Sequence, residues 1–376
     1  MRIARLVLAV TAAAFVSAGV SLPVSAKEYK YGSFSPPKAG VPNMSFNRFN
    51  AEVKEKTKGA ISFRLFAGGS LVGPRDTLSG IRDGIVDAGF VVPAFVVSSL
   101  PHVNMIPDLL SFAEDARQTT GAVAETLLLH CPECQADYRK MGAISLGGMG
   151  SQSYILQCAK PVHAFSDIRG MKVRVAGSAS GRWVQAMGAV PVGGMPPPDI
   201  VTGMQRGQVD CAIAIPEWLS GFSIADAAKE IVTMPQGNYH GTSTMTFSLK
   251  LWDGLTRDQK QIFLHAAANA LAKGTIENAY VEPKKVTEPL IKKRGIEEWP
   301  GDDAMRAAWK KFLAGEKAAA IEGAVKRGID RAVATRVMES HLKALAKWKK
   351  IGEEVGLDGD KLADKMWQEV FSKVKL

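Results

Sequence analysis

The residues best equipped for chemistry in this chain are its four cysteines, two of which stand in the order Cys131-Pro-Glu-Cys134. A thioredoxin-like exchange site uses this spacing where the motif follows a strand and opens a helix. Here it follows Thr120–His130, which itself reads as helical. Zinc would need more ligands at matching spacing, and His130 alone does not supply them. Cys158 and Cys211 stand apart from each other and from the pair. In an exported chain all four are expected as structural disulfides or buried thiols, with the pairing open. Gly177-Ser-Ala-Ser-Gly181 has the outline of a nucleophile elbow, but Ala179 occupies the centre, where that chemistry needs serine. No His-Glu-x-x-His occurs, no glycine-rich loop ends in Lys-Ser or Lys-Thr, and Gly147-Gly-Met-Gly150 lacks dinucleotide-binding spacing. The chain is expected to bind rather than to catalyse, with no cofactor and no metal.

Export follows from the first residues. Arg2 and Arg5 precede an apolar run from Leu6 to Val20, and the stretch ends in Val24-Ser25-Ala26, the order of a secretory signal peptide spanning residues 1–26. Ser17 and Gly19 interrupt the run, which argues against a retained anchor, and no later segment has the roughly 20 apolar residues of a membrane span. The expected location is the periplasm. The formal charge of +10 loses Arg2 and Arg5 on cleavage. The remaining basic excess clusters after Lys284 in amphipathic helical sequence, a pattern of solvated faces. No basic stripe is interleaved with aromatics, so nucleic acid is not an expected partner.

The elements that must position a binding site announce themselves as an internal repeat. Arg75-Asp-Thr-Leu-Ser-Gly-Ile-Arg-Asp-Gly-Ile-Val-Asp-Ala-Gly aligns without a gap on Pro198-Asp-Ile-Val-Thr-Gly-Met-Gln-Arg-Gly-Gln-Val-Asp-Cys-Ala. Asp76 matches Asp199, Gly80 matches Gly203, Gly84 matches Gly207, and Val86-Asp87 matches Val209-Asp210. In each copy the first Asp favours the positive end of a helix, and the second Gly sits where a helix stops in the left-handed conformation. A strand follows, Val86–Val92 in one copy and Val209–Ile215 in the other.

Upstream of the first copy, Phe46, Phe49 and Val53 lie at helical spacing, and Ile61, Phe63 and Leu65 alternate as a strand. Upstream of the second, Trp183–Met187 is helical and Ala189–Val192 is a strand. Two similar α/β lobes with largely parallel sheets are the expectation, and ligands of such lobes bind beyond the carboxyl ends of the strands. Lobe 1 is assigned to 27–150 and lobe 2 to 151–250, with hinge strands near 143–158. Residues 251–376 then supply a long helix, from Thr256 through Tyr280, that spans both lobes, followed by outer helices.

Five segments carry a family likeness in their order and spacing. They are Phe66-Ala-Gly-Gly-Ser-Leu-Val-Gly-Pro-Arg75, Gly84-Ile-Val-Asp87, Asp167-Ile-Arg-Gly-Met-Lys-Val-Arg174, and Met187-Gly-Ala-Val-Pro191 with Gly207-Gln-Val-Asp210. Over nearly the whole mature chain the sequence resembles the substrate-binding proteins of tripartite ATP-independent periplasmic (TRAP) transporters. The resemblance implies a two-lobed periplasmic binding fold of type II-like topology, a small-molecule carboxylate ligand, and delivery to membrane permease subunits. It also implies one binding arginine, which by motif position is Arg174. A guanidinium offers parallel donors that match a carboxylate and keeps its charge at physiological pH, so the chemistry agrees. The plain alternative is a surface ion pair. A receptor that presents its ligand to a sensor kinase, or an exported enzyme, are the alternative functions.

Departures from the polar-acid binders of that family bear on the ligand. The lobe-1 strand ends in Val91-Val92-Pro93, the hinge strand opens with Gln152-Ser153-Tyr154, and the lobe-2 strand ends in Ala214-Ile215-Pro216. None supplies a second arginine, and only Gln152 offers an amide. Glu217 and Trp218 follow, and Asn238, Tyr239 and His240 come after the turn Pro235-Gln236-Gly237. Aromatic side chains would sandwich a flat body while Arg174 holds its acid group, with Phe34 on the lobe-1 wall. The expected ligand is a monocarboxylate with an apolar or aromatic body, lined by Arg174, Trp218, Tyr154, Val92, Ser153, Ile215, Glu217, Asn238, Tyr239, His240 and Phe34. Plain packing is the alternative for Trp218, Tyr239 and His240. For Glu217 the alternatives are ordering Arg174, binding a cation or facing solvent.

Overall fold

The computed structural model describes residues 26–37 and 40–376, so the leader assigned to 1–26 lies outside the described residues except for Ala26. The chain lays down β1 (Lys27–Gly32), β2 (Ile61–Phe66), β3 (Ala88–Gly89) and β4 (Ala143–Ser145) in a first lobe. It crosses through β5 (Gly150–Ser153) into β6 (Ile155–Cys158), β7 (Lys172–Arg174), β8 (Val190–Val192), β9 (Cys211–Ala214) and β10 (Glu230–Val232) of a second. It recrosses through β11 (Asn238–His240), returns to the first lobe as β12 (Thr246–Ser248), and gives the second lobe an edge strand, β13 (Glu297–Trp299).

The first sheet has the order β2-β1-β3-β12-β4 and the second β13-β10-β6-β9-β7-β8, while β5 and β11 pair with each other between them. Expected as largely parallel, both sheets are mixed. In the first, β12 runs antiparallel to its neighbours β3 and β4; in the second, β6 runs antiparallel to β9 and β10. These two are the strands that enter each lobe directly from the hinge. The other strands point their carboxyl ends toward the cleft, so a strand that starts at the cleft must run the opposite way. The boundary expected at 250 shifts for the same reason, because Thr246–Ser248 already lie in the first sheet and Glu297–Trp299 lie in the second.

The sequence repeat is a structural repeat down to single hydrogen bonds. Asp87 Oδ2 accepts the Lys30 amide at 2.8 Å while its own amide donates to the Lys30 carbonyl at 2.9 Å. Asp210 does the same with Lys172 at 2.8 Å and 2.7 Å. Each aspartate fastens its strand to a parallel neighbour in its own lobe, β1 in the first and β7 in the second. Gly84 and Gly207 adopt φ of 76° and 65°, the left-handed stop that glycine tolerates. Asp76 and Asp199 stand at the two helix starts without a side-chain capping bond, so any help they give is through the helix dipole.

A helical rod joins the lobes. It begins at Arg257–Ile276, capped by the reciprocal Thr256 and Gln259 bonds, and passes through widened turns at Glu277–Val281 and Pro283–Thr287 to Glu288–Arg294. Pro283 has no amide to donate, and the widened turns accommodate that loss without ending the helix. The first half packs on the helix Gly40–Lys56 of lobe 1, and Ile291 near its end is buried in a lobe-2 cluster. Outer helices Asp303–Lys326 and Arg331–Val355 follow, and the second lies on Ala116–Glu125 with Trp348 fully buried.

That last contact depends on Gly121. A Cβ there would come within 2.0 Å of the Trp348 ring, which is anchored by its Nε1 bond to Glu125 at 2.7 Å. Overpacking of a closed helix pair costs about 1–3 kcal/mol. Gly121→Ala should lower stability by that amount in urea unfolding, and an unchanged midpoint would show that the outer helix yields freely.

Both cysteine pairs are disulfides, Cys131–Cys134 and Cys158–Cys211. The second closes across β6 and β9, where the two residues are register partners. Cys131 and Cys134 are buried, and the Cys131 sulfur accepts the Cys134 amide as the helix Pro132–Lys140 begins, so the motif is part of the core.

Candidate functional site

A cavity lies between the lobes and is lined by residues of both. The carboxyl ends of four strands point into it. Phe34 follows β1, Phe90 and Val92 follow β3, Arg174 ends β7, and Ile215 follows β9. The expected strand over Val86–Val92 is cut short at Gly89, because Val91 bonds across to the Ser243 carbonyl and Val92 opens a tight turn at Pro93. The shortened strand leaves Phe90 and Val92 free to face the cavity.

Arg174 is fully buried. Its Nε donates to the Met195 carbonyl at 2.8 Å and its Nη1 to the Ile213 carbonyl at 3.3 Å. Nη2 has no hydrogen-bond partner among the described residues. Burial lowers its pKa to about 10, opposed by the nearby Tyr154 hydroxyl, so the group remains charged at neutral pH. The Tyr154 hydroxyl is pushed up to about 12 by its own burial and stays protonated. Trp218 lies under the guanidinium, 5.4 Å from ring centre to Cζ, and meets Phe222 edge-on at 5.5 Å. Across the cleft Phe34 and Phe90 stack at 5.1 Å. A buried guanidinium with Nη2 open among the described residues, over the face of Trp218, offers a charged donor beside apolar walls.

Eight of the eleven residues singled out in the sequence line this cavity: Arg174, Trp218, Tyr154, Val92, Ile215, Glu217, Tyr239 and Phe34. Glu217 is buried, which removes the solvent-facing alternative, and its amide is held by Gln152 Oε1 at 2.9 Å. The Tyr239 hydroxyl is buried without a hydrogen-bond partner among the described residues. Ser153, Asn238 and His240 are not brought to the cavity, and the expectation for them is corrected. Asn238 donates to the Ser151 carbonyl at 2.8 Å and meets the Ser153 hydroxyl at 3.4 Å, so both serve the pairing of the hinge strands. His240 turns to the other side of β11, where its Nδ1 meets the Asn238 carbonyl at 2.9 Å and its ring packs 4.9 Å from that of His341. Gln152, the one amide considered for the pocket, instead ties the Glu217 loop to the Asn278 carbonyl of the helical rod.

Sequence reasoning missed Phe90, Phe95, Met149, Ser151 and Phe222 in the lining. Two of them carried a signal. Phe90 and Val92 are two apart on an extended segment and share a face, and Phe222 is four beyond Trp218, just past the end of the short helix Trp218–Gly221, a spacing that puts both on one side. Met149 and Ser151 had none, since their position depends on where the chain crosses between lobes.

The lobes also touch beyond the cavity, where Arg75 donates to the carbonyl of Gly194. The loop Gly193–Pro196 therefore contacts Arg75 of lobe 1 through one carbonyl and Arg174 through the next.

Known proteins share this architecture. The profile of the bacterial extracellular solute-binding proteins, family 7, matches residues 38–317. A solute-binding protein of Albidiferax ferrireducens is 24% identical over 278 residues, 70% of this chain and 79% of that protein. A TRAP solute-binding protein from Rhodoferax ferrireducens T118, in complex with copurified benzoate, matches with a TM-score of 0.73 at 18% identity, covering 87% of this chain and 99% of that one. A marine metagenome TRAP protein specific for aromatic acid ligands, co-crystallised with 3-hydroxybenzoate, matches at 0.72 and 20% identity over 86% and 98% of the two chains.

Proposed function

The chain belongs to family 7 of the bacterial extracellular solute-binding proteins, the TRAP type, and from that premise we propose that it captures an aromatic or apolar monocarboxylate in the periplasm and delivers it to a TRAP membrane permease. The observation that carries the ligand class is the open Nη2 of the buried Arg174 in a cavity otherwise walled by aromatic and aliphatic side chains. Among the described lining residues Arg174 is the one cation and Glu217 the one anion. A second carboxylate on the ligand would meet no second cation among the described lining residues, whereas a ring would find the aromatic faces of Trp218, Phe34 and Phe90. Two solved relatives that hold benzoate and 3-hydroxybenzoate agree with this reading, although the same fold also holds β-D-galacturonate and orotic acid in others. The lining, and not the fold, selects the ligand.

A thermal-shift panel tests this reading. At a concentration of about 100 times Kd a ligand adds about 2.7 kcal/mol of apparent stability, which appears as a rise of several degrees. Benzoate, hydroxybenzoates, phenylacetate and branched-chain monocarboxylates should include ligands that give this rise, and benzamide, which lacks the charge, should not. Strong stabilisation by succinate or galacturonate with none by the aromatic acids would overturn the proposal.

A further inference from the structure

The second lobe carries a cluster of potential metal ligands at the end of its sheet opposite the cavity. Glu230 opens β10, and Glu297, its register partner, opens the neighbouring parallel strand β13. The cavity lies at the carboxyl ends of strands running the same way, so this pair stands at the far edge of the lobe. His163, in the loop after β6, joins them. One donor atom from each of His163, Glu230 and Glu297 lies within 4.8 Å of the others, the one such grouping of His, Cys, Asp and Glu among the described residues.

The loop is held in place from several sides. The amides of His163 and Ala164 donate to Asp167 Oδ2 at 3.0 Å, and that of Phe165 donates to Asp302 at 2.9 Å. Val162 donates to Glu230 Oε2 at 2.8 Å. The other carboxylate oxygen, Oε1, is the anomaly. Glu230 is 2% exposed, and its Oε1 is buried with no hydrogen-bond partner among the described residues, yet it is aimed at His163 Nδ1, 3.7 Å away. That gap is too long for a hydrogen bond. A buried carboxylate oxygen with nothing to accept from is costly and calls for an unseen partner.

We propose that His163, Glu230 and Glu297 form a site for a divalent transition-metal cation, best suited to Zn2+, that fastens the loop to strands β10 and β13. One imidazole and two carboxylates fit the Zn2+ ligand set, whereas Ca2+ and Mg2+ favour oxygen alone. Zinc bonds of about 2.0–2.1 Å put tetrahedral ligands roughly 3.4 Å apart, close to the 3.7 Å between His163 and Glu230. Glu297 is exposed and can swing inward, and a water molecule would fill the fourth position. The site is independent of the ligand cavity and of the function proposed for it.

The test uses tag-free, chelator-stripped full-length mature protein titrated with Zn2+ by calorimetry at neutral pH, with melting temperature read in parallel. One equivalent should bind with micromolar or tighter affinity and raise the melting temperature, while Ca2+ and Mg2+ give no comparable signal. His163→Ala and Glu297→Gln should each weaken Zn2+ binding at least tenfold. Both side chains are exposed, so the metal-free melting temperatures should hold, which keeps the result readable where Glu230→Gln does not fold. Zn2+ binding unchanged by both substitutions would put the ion elsewhere, for example at the surface pair His265 and Glu52, and would overturn the proposal. Absence of saturable binding in the wild-type protein would do the same.

Discussion

Arg174→Ala is expected to weaken binding of the aromatic monocarboxylate identified in the ligand panel by about 2–4 kcal/mol, roughly thirty- to several-hundredfold, in calorimetry. The buried guanidinium already spends Nε and Nη1 on the Met195 and Ile213 carbonyls, so its orientation is fixed before any ligand arrives. Binding would then need no reordering of that side chain, and a charge-assisted bond to Nη2 would form at a fully buried group. Arg174→Lys keeps a positive charge but loses the planar fork, and its affinity should fall between wild type and alanine. Desolvation disfavours the charged group in the empty protein, so the alanine variant should lose its ligand-induced shift without a matching loss of ligand-free stability. Unchanged affinity in the alanine variant would remove Arg174 from the site.

Acidification should destabilise the protein through a pair of histidines at the hinge. His240 is fully buried, and burial depresses its pKa from 6.5 to about 4. His341, which faces it and bonds Thr126 at 2.8 Å, is lowered well below the ordinary value, by burial first and by His240 second. Both are neutral in the folded protein. Once the pH falls below about 6.5 the unfolded chain takes up protons that the folded one refuses, so stability drops as pH drops. For His240 alone the loss reaches about 3 kcal/mol by about pH 4, and His341 adds to it. Burial raises the carboxyls of Asp108, Glu282 and Glu316, which work in the opposite sense, favouring the folded state where they hold protons that the unfolded chain releases. The measurement is therefore differential. Urea unfolding of wild type and His240→Gln at about pH 7 and about pH 5 should show a steeper loss for wild type. Equal slopes would mean that the hinge tolerates a charged imidazole.

Which features were legible in the sequence follows from how local their causes are. The repeat, the glycine stops and the strand that ends in Arg174 depend on neighbours within a turn or two, and each was readable. Val92, Ile215 and Trp218 were readable for the same reason, as residues just beyond strand ends. Asn238 and His240 were misplaced because a three-residue strand with a register irregularity between them gives no alternation from which to assign a face. The pairing of Cys158 with Cys211 depends on β6 lying beside β9, and the reversed course of β6 and β12 depends on where the chain crosses the hinge. Neither cause is local, so neither left a mark in the pattern of residue types.

The route of the chain sets an order of assembly. β12 lies in the middle of the first sheet, between β3 and β4, yet it is made only after five of the second lobe's six strands. Without it the first sheet is two fragments, β2-β1-β3 and β4. The second sheet, by contrast, lacks only its edge strand β13 once β10 has formed. Short loops close at lower entropic cost than long ones, and contacts distant in sequence form late. The lobe that carries Arg174 is thus the one able to fold as a nearly contiguous unit, and the lobe that begins the chain is the one that must wait.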